Sequence, residues 1–274
     1  MGGMTKPLIL LAAFLATVAT QPSVNIPPSA TTAADALKNS PRHGEWVDIP
    51  LAGSNVQLHT WVVYPERSDK APVVIVIHEI FGMSDWVRAV ADQLAAEGYI
   101  AVAPDMLSGM GPNGGGTESL GDQVGQTIRK LTFDEENKRL DAARDYALAL
   151  PAAASKSACI GFCWGGGVSF AYATHQPKLD AAIVFYGTPP KQDAMAKIAC
   201  PVFGLYGKDD ARISLTVPDT VKAMADLNKS YSPHIYDGAG HGFLRQQDAR
   251  NGANLKASQQ AWAEVVTFLK TNLQ

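Results

Sequence analysis

Continuous apolar runs constrain the fold of this chain more than any other feature. Examples are APVVIVIHE at 71 to 79, YIAVAP at 99 to 104 and LDAAIVFYG at 179 to 187. A strand with one face in water alternates apolar and polar residues, so these runs need cover on both faces. Stretches with helical periodicity, such as 84 to 99 and 133 to 151, separate the runs. The alternation predicts a mostly parallel central sheet with helices on both faces, an α/β fold.

Two stretches that precede the continuous apolar runs have a different pattern. EWVDIPL at 45 to 51 and VQLHTWVVYP at 56 to 65 alternate in part, which favours an antiparallel pair at the N-terminal side of the sheet. No break in composition follows, so residues 43 to 274 are predicted to form one catalytic domain. The glycine-rich segment from Met106 to Gly125 has no clear period, and we expect a functional or mobile loop at the carboxyl edge of the sheet.

The first 42 residues are different in character. Lys6 and a short apolar stretch from Leu8 to Ala19 predict a signal peptide over residues 1 to 20. The stretch is shorter than the ~20 residues that span a bilayer. Residues 21 to 42 are rich in Pro, Ser, Thr and Ala and are predicted to be a flexible linker. We therefore expect a periplasmic or secreted protein with no membrane attachment once the signal is cleaved.

Composition points to small-molecule chemistry. A net charge of −3 and a pI near 6.1 give no reason to expect a nucleic acid partner. We expect a monomer with no cofactor and no metal. The chain has three cysteines, an odd number, so one thiol is left over from any pairing. Cys159 and Cys163 on one strand would stand roughly 13 Å apart, too far for a disulfide.

The segment Gly161-Phe-Cys163-Trp-Gly165 has the form G-x-C-x-G, a nucleophile elbow with Cys in place of Ser. Glycines permit the sharp turn from strand to helix, and the helix N-terminus favours the thiolate. The motif alone also fits a small buried cysteine in a tight turn. A redox or metal-binding thiol is a further alternative, although no CxxC pair or His/Cys cluster accompanies it.

The residues downstream favour the nucleophile. An acid just past a buried strand and His241 after the next strand complete the order nucleophile, acid, histidine that is typical of α/β-hydrolases. Spacing from Gly207 favours Asp210 as the acid, with Asp209 as the alternative. The loop after the first parallel strand is where this fold donates an oxyanion-hole amide, so the predicted donors are the amides of Ile80 and Trp164.

Four motifs in order carry a resemblance to a known family. They are HEIFG at 78 to 82, GFCWGGG at 161 to 167, GKDD at 207 to 210 and GHGFLR at 240 to 245. Across residues 43 to 274 the chain resembles the dienelactone hydrolase (carboxymethylenebutenolidase-like) family of the α/β-hydrolase superfamily. The resemblance implies an ester or lactone hydrolase that forms a thioester acyl-enzyme, and the alternative is a non-catalytic exported binding protein on the same fold.

The resemblance also implies roles for single residues. Cys163 would be the nucleophile, His241 the base and Asp210 its partner, while Glu79 would help generate the thiolate when substrate arrives. Arg245 resembles the arginine that grips a substrate carboxylate, a task that suits the guanidinium fork. For a second such arginine the chain offers only Arg129 as a candidate. Further predicted lining of the substrate pocket comes from Tyr186 and Trp164.

Overall fold

A single mixed sheet forms the centre of the protein in the computed structural model, which describes residues 25 to 274. Its strands are β1 (Gly44–Pro50), β2 (Gln57–Val63), β3 (Ala71–Ile77), β4 (Ile100–Pro104), β5 (Ala153–Phe162), β6 (Ala181–Phe185), β7 (Val202–Gly207) and β8 (Tyr231–Tyr236). The helices are α1 (Ala33–Lys38), α2 (Asp85–Ala96), α3 (Thr117–Leu120), α4 (Val124–Thr127), α5 (Phe133–Leu148), α6 (Trp164–His175), α7 (Gln192–Met195), α8 (Ala211–Ser214), α9 (Val217–Asp226) and α10 (Ala253–Leu273).

The strand order creates a crevice at one edge of the sheet. The order is β1-β2-β4-β3-β5-β6-β7-β8, in which β1 pairs with β2 and β2 pairs with β4 antiparallel, while every later pairing is parallel. The chain runs from β3 outward to β4 and then returns to β5 on the other side of β3. Connections therefore diverge beyond the carboxyl ends of β3 and β5, where α/β sheets bind ligands.

Burial explains why the central strands are apolar throughout. All residues of β3, β4 and β6 are buried. Val74 and Val76 of β3 pack with residues of α2 and α10, whereas Ile75 and Ile77 pack with residues of α5, α6 and α9. Helices thus cover both faces, and the predicted mostly parallel α/β sheet with antiparallel N-terminal strands is confirmed.

The prediction of a flexible linker is wrong for the described residues 25 to 42. This segment contains α1, in which Ala33 is fully buried and Leu37 packs against the core. The guanidinium of Arg42 makes two hydrogen bonds to Asp92 of α2, at 3.0 and 2.5 Å. A composition rich in small residues suggests a linker, but these small apolar side chains fit closely against α2.

The predicted signal peptide at residues 1 to 20 and the first linker residues lie outside the described part of the chain. Within residues 25 to 274, no helix combines the length and the apolar composition needed to cross a membrane.

The glycine-rich segment from Met106 to Gly125 folds into short helical turns, including α3. Asp105, at the end of β4, accepts hydrogen bonds from the Thr117 backbone N–H and hydroxyl, both at 2.7 Å, and from the Leu107 N–H at 3.0 Å. The Thr117 hydroxyl oxygen also accepts from the Met83 N–H at 3.0 Å. A buried carboxylate thus ties this loop to the loop that follows β3.

Candidate active site

Cys163 occupies the sharp turn between β5 and α6. Its backbone lies at φ 56° and ψ −115°, a region that costs a non-glycine residue about 1–3 kcal/mol. A Cβ on Gly165 would overlap the carbonyls of Ile77 and His78, and one on Gly161 would overlap the Gly165 carbonyl. The two glycines therefore let the turn close against β3, and the cysteine projects from it.

His241 and Asp210 come together at the ends of β7 and β8. The Nδ1–H of His241 donates to Asp210 Oδ2 at 2.6 Å, and the Asp210 side chain is buried. Asp209 instead accepts from Arg250 Nη1 at 2.7 Å on the surface, where both side chains are about half exposed. Of the two adjacent acids, Asp210 is the one that can orient the imidazole and stabilise its charged form.

The backbone amides of Ile80 and Trp164 lie close enough to the Cys163 sulfur to lower the pKa of the thiol. Burial raises this pKa, and the charge of Glu79 raises it further, so the pKa stays above its ordinary value and the thiol is protonated at neutral pH. Within residues 25 to 274, Cys163 makes no hydrogen bond to His241, although both line one cavity. The predicted oxyanion donors thus face the predicted nucleophile.

Glu79 is buried beside the cavity and is only 3% exposed. Burial raises the pKa of its carboxyl to about 7, while the charge of Arg245 opposes the shift. Arg245 Nε lies 2.8 Å from Glu79 Oε2, yet in the described residues neither atom has a partner with hydrogen-bond geometry. The contact is therefore an ion pair without the alignment of a hydrogen bond.

A cavity of about 500 Å³ joins these groups. Tyr186 is fully buried at its wall, its ring centre 5.1 Å from that of His241, and its hydroxyl has no hydrogen-bond partner in the described residues. Of the predicted site residues, only Asp210 lies behind the wall. The others all line the cavity: Glu79, Ile80, Cys163, Trp164, Tyr186, His241 and Arg245.

Three arginines line the same cavity. Arg129, the candidate from the sequence, is one of them, and Arg245 is another, its guanidinium 4.6 Å from the ring centre of Phe81. Arg212 was not predicted from the sequence, although it stands two residues after Asp210 in the first turn of α8, where a side chain can reach the site. Five other lining residues were also not predicted: Phe81, Thr188, Ile213, Gly242 and Gln246.

The other thiols lie elsewhere. Cys159 is fully buried within β5, 3.1 Å from the Ser169 hydroxyl, and burial raises its pKa to about 12. Cys200 is also buried, and all three cysteines are free. In the part of the chain that the structure describes, no three His, Cys, Asp or Glu side chains gather as metal ligands would.

Known proteins resemble this chain in sequence. The profile of the dienelactone hydrolase family matches residues 58 to 273. A protein of Saccharolobus solfataricus named "Putative carboxymethylenebutenolidase" is 31% identical over 255 residues, which covers 81% of this chain and 97% of that protein. A protein of the same name from Escherichia coli K12 is 28% identical over 269 residues, covering 92% and 97% of the two chains.

Solved structures agree as well. A "putative dienelactone hydrolase" from Klebsiella pneumoniae superposes with a TM-score of 0.72 and 28% identity, covering 82% of this chain and 97% of that chain. Acylaminoacyl peptidase from Pyrococcus horikoshii, at 16% identity and a TM-score of 0.68, shares the fold over 88% of this chain and 44% of its own. The resemblance seen in the four motifs is confirmed, and the chain belongs to the dienelactone hydrolase family of carboxylic ester hydrolases, with an α/β-hydrolase fold.

Proposed function

We propose that the protein hydrolyses small esters or lactones that carry a free carboxylate, through a thioester on Cys163. The observation that carries the proposal is the meeting of four groups around one cavity: the thiol, the Asp210–His241 pair, the two backbone amides, and the buried Glu79–Arg245 ion pair. A volume of about 500 Å³ suits a small molecule.

Substrate entry would activate the nucleophile. In the resting protein the thiol is protonated, and Glu79 is held by Arg245. A substrate carboxylate that reaches Arg245 competes with Glu79 for the guanidinium. Without that partner, burial raises the pKa of Glu79 further, and the carboxylate accepts the thiol proton. The thiolate then forms only when an anionic substrate is bound.

Acylation would follow on this thiolate. Its sulfur attacks the carbonyl carbon, and the Ile80 and Trp164 amides hold the resulting oxyanion. The proton taken from the thiol passes to His241, which gives it to the leaving oxygen as the C–O bond breaks. Asp210 stabilises the imidazolium during this transfer. In a lactone the leaving group stays attached to the acyl chain.

Deacylation would return the enzyme to its starting state. His241 takes a proton from water, the hydroxide attacks the thioester carbonyl, and the thiolate leaves and recovers a proton. The product is a free carboxylic acid. Each proton that leaves a group in this cycle is returned, so the residues of the chain complete the reaction without an added reactant beyond water.

The direct test compares wild type with Cys163→Ala on matched lactones with and without a carboxylate. We expect Cys163→Ala to lose at least about 10³-fold in kcat, as loss of a nucleophile does. Cys200→Ala, which removes a buried thiol away from the cavity, is the control and should keep wild-type rates. Equal rates in wild type and Cys163→Ala would disprove the thiol mechanism.

The arginines supply the test of the substrate class. Arg245→Ala should raise KM for the carboxylate-bearing lactone and change the neutral one little, since only the first offers a partner for the guanidinium. Arg129→Ala and Arg212→Ala should raise KM for the same lactone. If wild type does not prefer the carboxylate-bearing lactone over the neutral one, the proposed substrate class is wrong. The protein would then be an ester hydrolase that acts on another class of substrate.

We also propose that the protein is exported from the cytoplasm. The apolar N-terminal stretch from Leu8 to Ala19 supports a signal peptide. Fractionation of cells that express the full chain should recover enzyme outside the cytoplasm, and a chain that begins after residue 20 should stay inside. Equal distribution of the two chains would contradict export.

A further inference from the structure

His78 is a fully buried histidine that the proposed mechanism does not use. It follows β3 directly and precedes Glu79. Its Nδ1 lies 2.8 Å from the Glu79 carbonyl oxygen, and its Nε2 lies 3.1 Å from the Met106 backbone nitrogen. A buried imidazole with both nitrogens engaged is locked in position.

Its partners determine its tautomer. A carbonyl oxygen can only accept, so Nδ1 carries the hydrogen and donates it to Glu79; the Met106 N–H can only donate, so Nε2 offers its lone pair. The ring is therefore neutral. Burial lowers its pKa, which keeps it neutral at physiological pH, although Asp105 Oδ1 stands 3.8 Å from Nε2.

The hydrogen bond from His78 to the Glu79 carbonyl also fixes the orientation of the Ile80 N–H. The Glu79 carbonyl and the Ile80 N–H belong to the same planar peptide, in which the two groups point in opposite directions. The carbonyl accepts from His78 Nδ1 and also from the Gly82 N–H at 3.0 Å. With the carbonyl held on one side, the Ile80 N–H is left facing the Cys163 sulfur on the other.

His78 also touches the second amide donor. Its ring stacks on that of Trp164 with centres 5.6 Å apart, and its carbonyl lies against the Cα of Gly165. Through Met106 it joins the segment that Asp105 anchors. One side chain thus contacts the loop after β3, the loop after β4 and the first turn of α6.

We propose that His78 is a positioning residue that orients the Glu79–Ile80 peptide so that the Ile80 N–H points at the reacting centre. This role rests on the proposed function, because the Ile80 amide matters to catalysis only if an oxyanion forms beside Cys163. The same amide also faces the Cys163 sulfur in the absence of substrate and lowers the pKa of the thiol, which gives a readout that needs no substrate.

The experiment compares His78→Leu, His78→Asn and Thr60→Val with wild type. Leu removes both bonds, whereas the Asn amide nitrogen stands near the position of Nδ1 and can still donate to the Glu79 carbonyl. Thr60 is the control, because it is fully buried and its hydroxyl donates to the Leu58 carbonyl at 3.0 Å, outside the cavity. Thermal melting verifies that each variant is folded.

Two readouts follow, activity and thiol reactivity. Removal of one oxyanion donor costs ~10²–10³-fold in kcat, so we expect His78→Leu to lose about 10- to 100-fold with little change in KM. The pKa of Cys163, obtained from the pH dependence of its alkylation by iodoacetamide, should rise in His78→Leu. The other charged or titratable groups that line the cavity with the thiol are unchanged in all three variants: Glu79, Arg129, Tyr186, Arg212, His241 and Arg245.

His78→Asn should recover most of both properties, and Thr60→Val should match wild type in both. A His78→Leu protein with wild-type thiol pKa and kcat would overturn the proposal, as would equal losses in the Leu and Asn variants. If instead Cys163→Ala keeps full activity, the proposed mechanism fails, while the alkylation data still decide whether His78 orients the amide.

Discussion

Two neighbouring parts of the site are supported in different ways. The elbow, residues 161 to 167, rests on close backbone approaches: Gly165 lies against the end of β3, and the Cys163 N–H donates to the Phe185 carbonyl at 3.0 Å. The acid–base loop, residues 237 to 249, depends instead on side chains and on distant segments. Asn254 of α10 accepts from the Gly240 N–H at 3.1 Å and donates to the Gln246 carbonyl at 2.7 Å.

The N-terminal segment also holds the acid–base loop. The Ala30 N–H donates to the Arg245 carbonyl at 2.9 Å, and Gln247 Nε2 donates to the Pro27 carbonyl at 2.8 Å. The elbow is thus held by close backbone contacts, while the loop with His241 and Arg245 is held by side chains and by the N-terminal segment. Mutations should therefore affect stability most in the elbow and activity most in the loop.

The largest effect is expected in the elbow. Gly165→Val should lower the free energy of unfolding by about 4 kcal/mol or more, because its Cβ would overlap the carbonyls of Ile77 and His78. Chemical denaturation measures this, and loss of soluble protein counts as the same outcome. Gly125→Ala is the control, since no atom lies closer than 4.0 Å to its added Cβ. If Gly165→Val is as stable as wild type, the close approach of Gly165 to the end of β3 does not hold the elbow together.

The acid–base loop should respond in activity instead. Asp210→Asn should lower kcat by about 10³-fold or more, because an amide cannot stabilise the charged imidazole. Asp209→Asn breaks only an exposed ion pair with Arg250, which is worth less than about 1 kcal/mol of stability, and should keep its kcat. Steady-state kinetics on one ester measures both. A reversed ranking would identify Asp209 as the partner.

Glu79 connects the two parts, and its titration should be visible in stability. Its pKa rises from an ordinary value of 4.5 to about 7 in the folded protein, so the folded state binds the proton more tightly than the unfolded chain. Stability is therefore lost as pH rises from about 4.5 through 7. The loss should be roughly 3 kcal/mol in wild type relative to Glu79→Gln, obtained from urea unfolding at each pH. Parallel pH profiles in the two proteins would contradict the raised pKa.

The smallest effect is expected where the N-terminal segment meets the loop. Gln247→Ala leaves the buried Pro27 carbonyl without its partner and should cost about 1–2 kcal/mol, with a rise in KM as Arg245 shifts. Asp248→Ala removes only an exposed bond from Thr31 and serves as the control. If Gln247→Ala leaves Tm and KM unchanged, the N-terminal segment does not support the loop.

Much of the site followed from local patterns. The Gly207 spacing favoured Asp210 over Asp209, and the glycines around Cys163 indicated the turn. Local patterns carry this information because strand, turn and helix are encoded within a few residues, and parallel strands bring their carboxyl ends to one edge.

Other features needed the folded chain. Gln247 and Pro27 are 220 positions apart, and no local pattern joins them. Arg212 lies in the short helix α8, and no local pattern distinguishes it from a surface residue, so only the packing of the chain places it at the cavity. The bonds of His78 to Glu79 and Met106 depend on how β3 and β4 lie side by side, which apolar runs do not reveal.

The sequence by itself determined the layered α/β sheet, the family and the order of Cys163, Asp210 and His241 along the chain, because these depend on periodicity and on spacing along the chain. Only the tertiary structure decided that residues 25 to 42 are packed, that Arg129 and Arg212 join Arg245 in one cavity, and that Glu79 is paired while the thiol is protonated. These outcomes depend on burial and on distances between remote segments. Burial sets the pKa values and charge pairing of the site, and it exists only once the segments have packed.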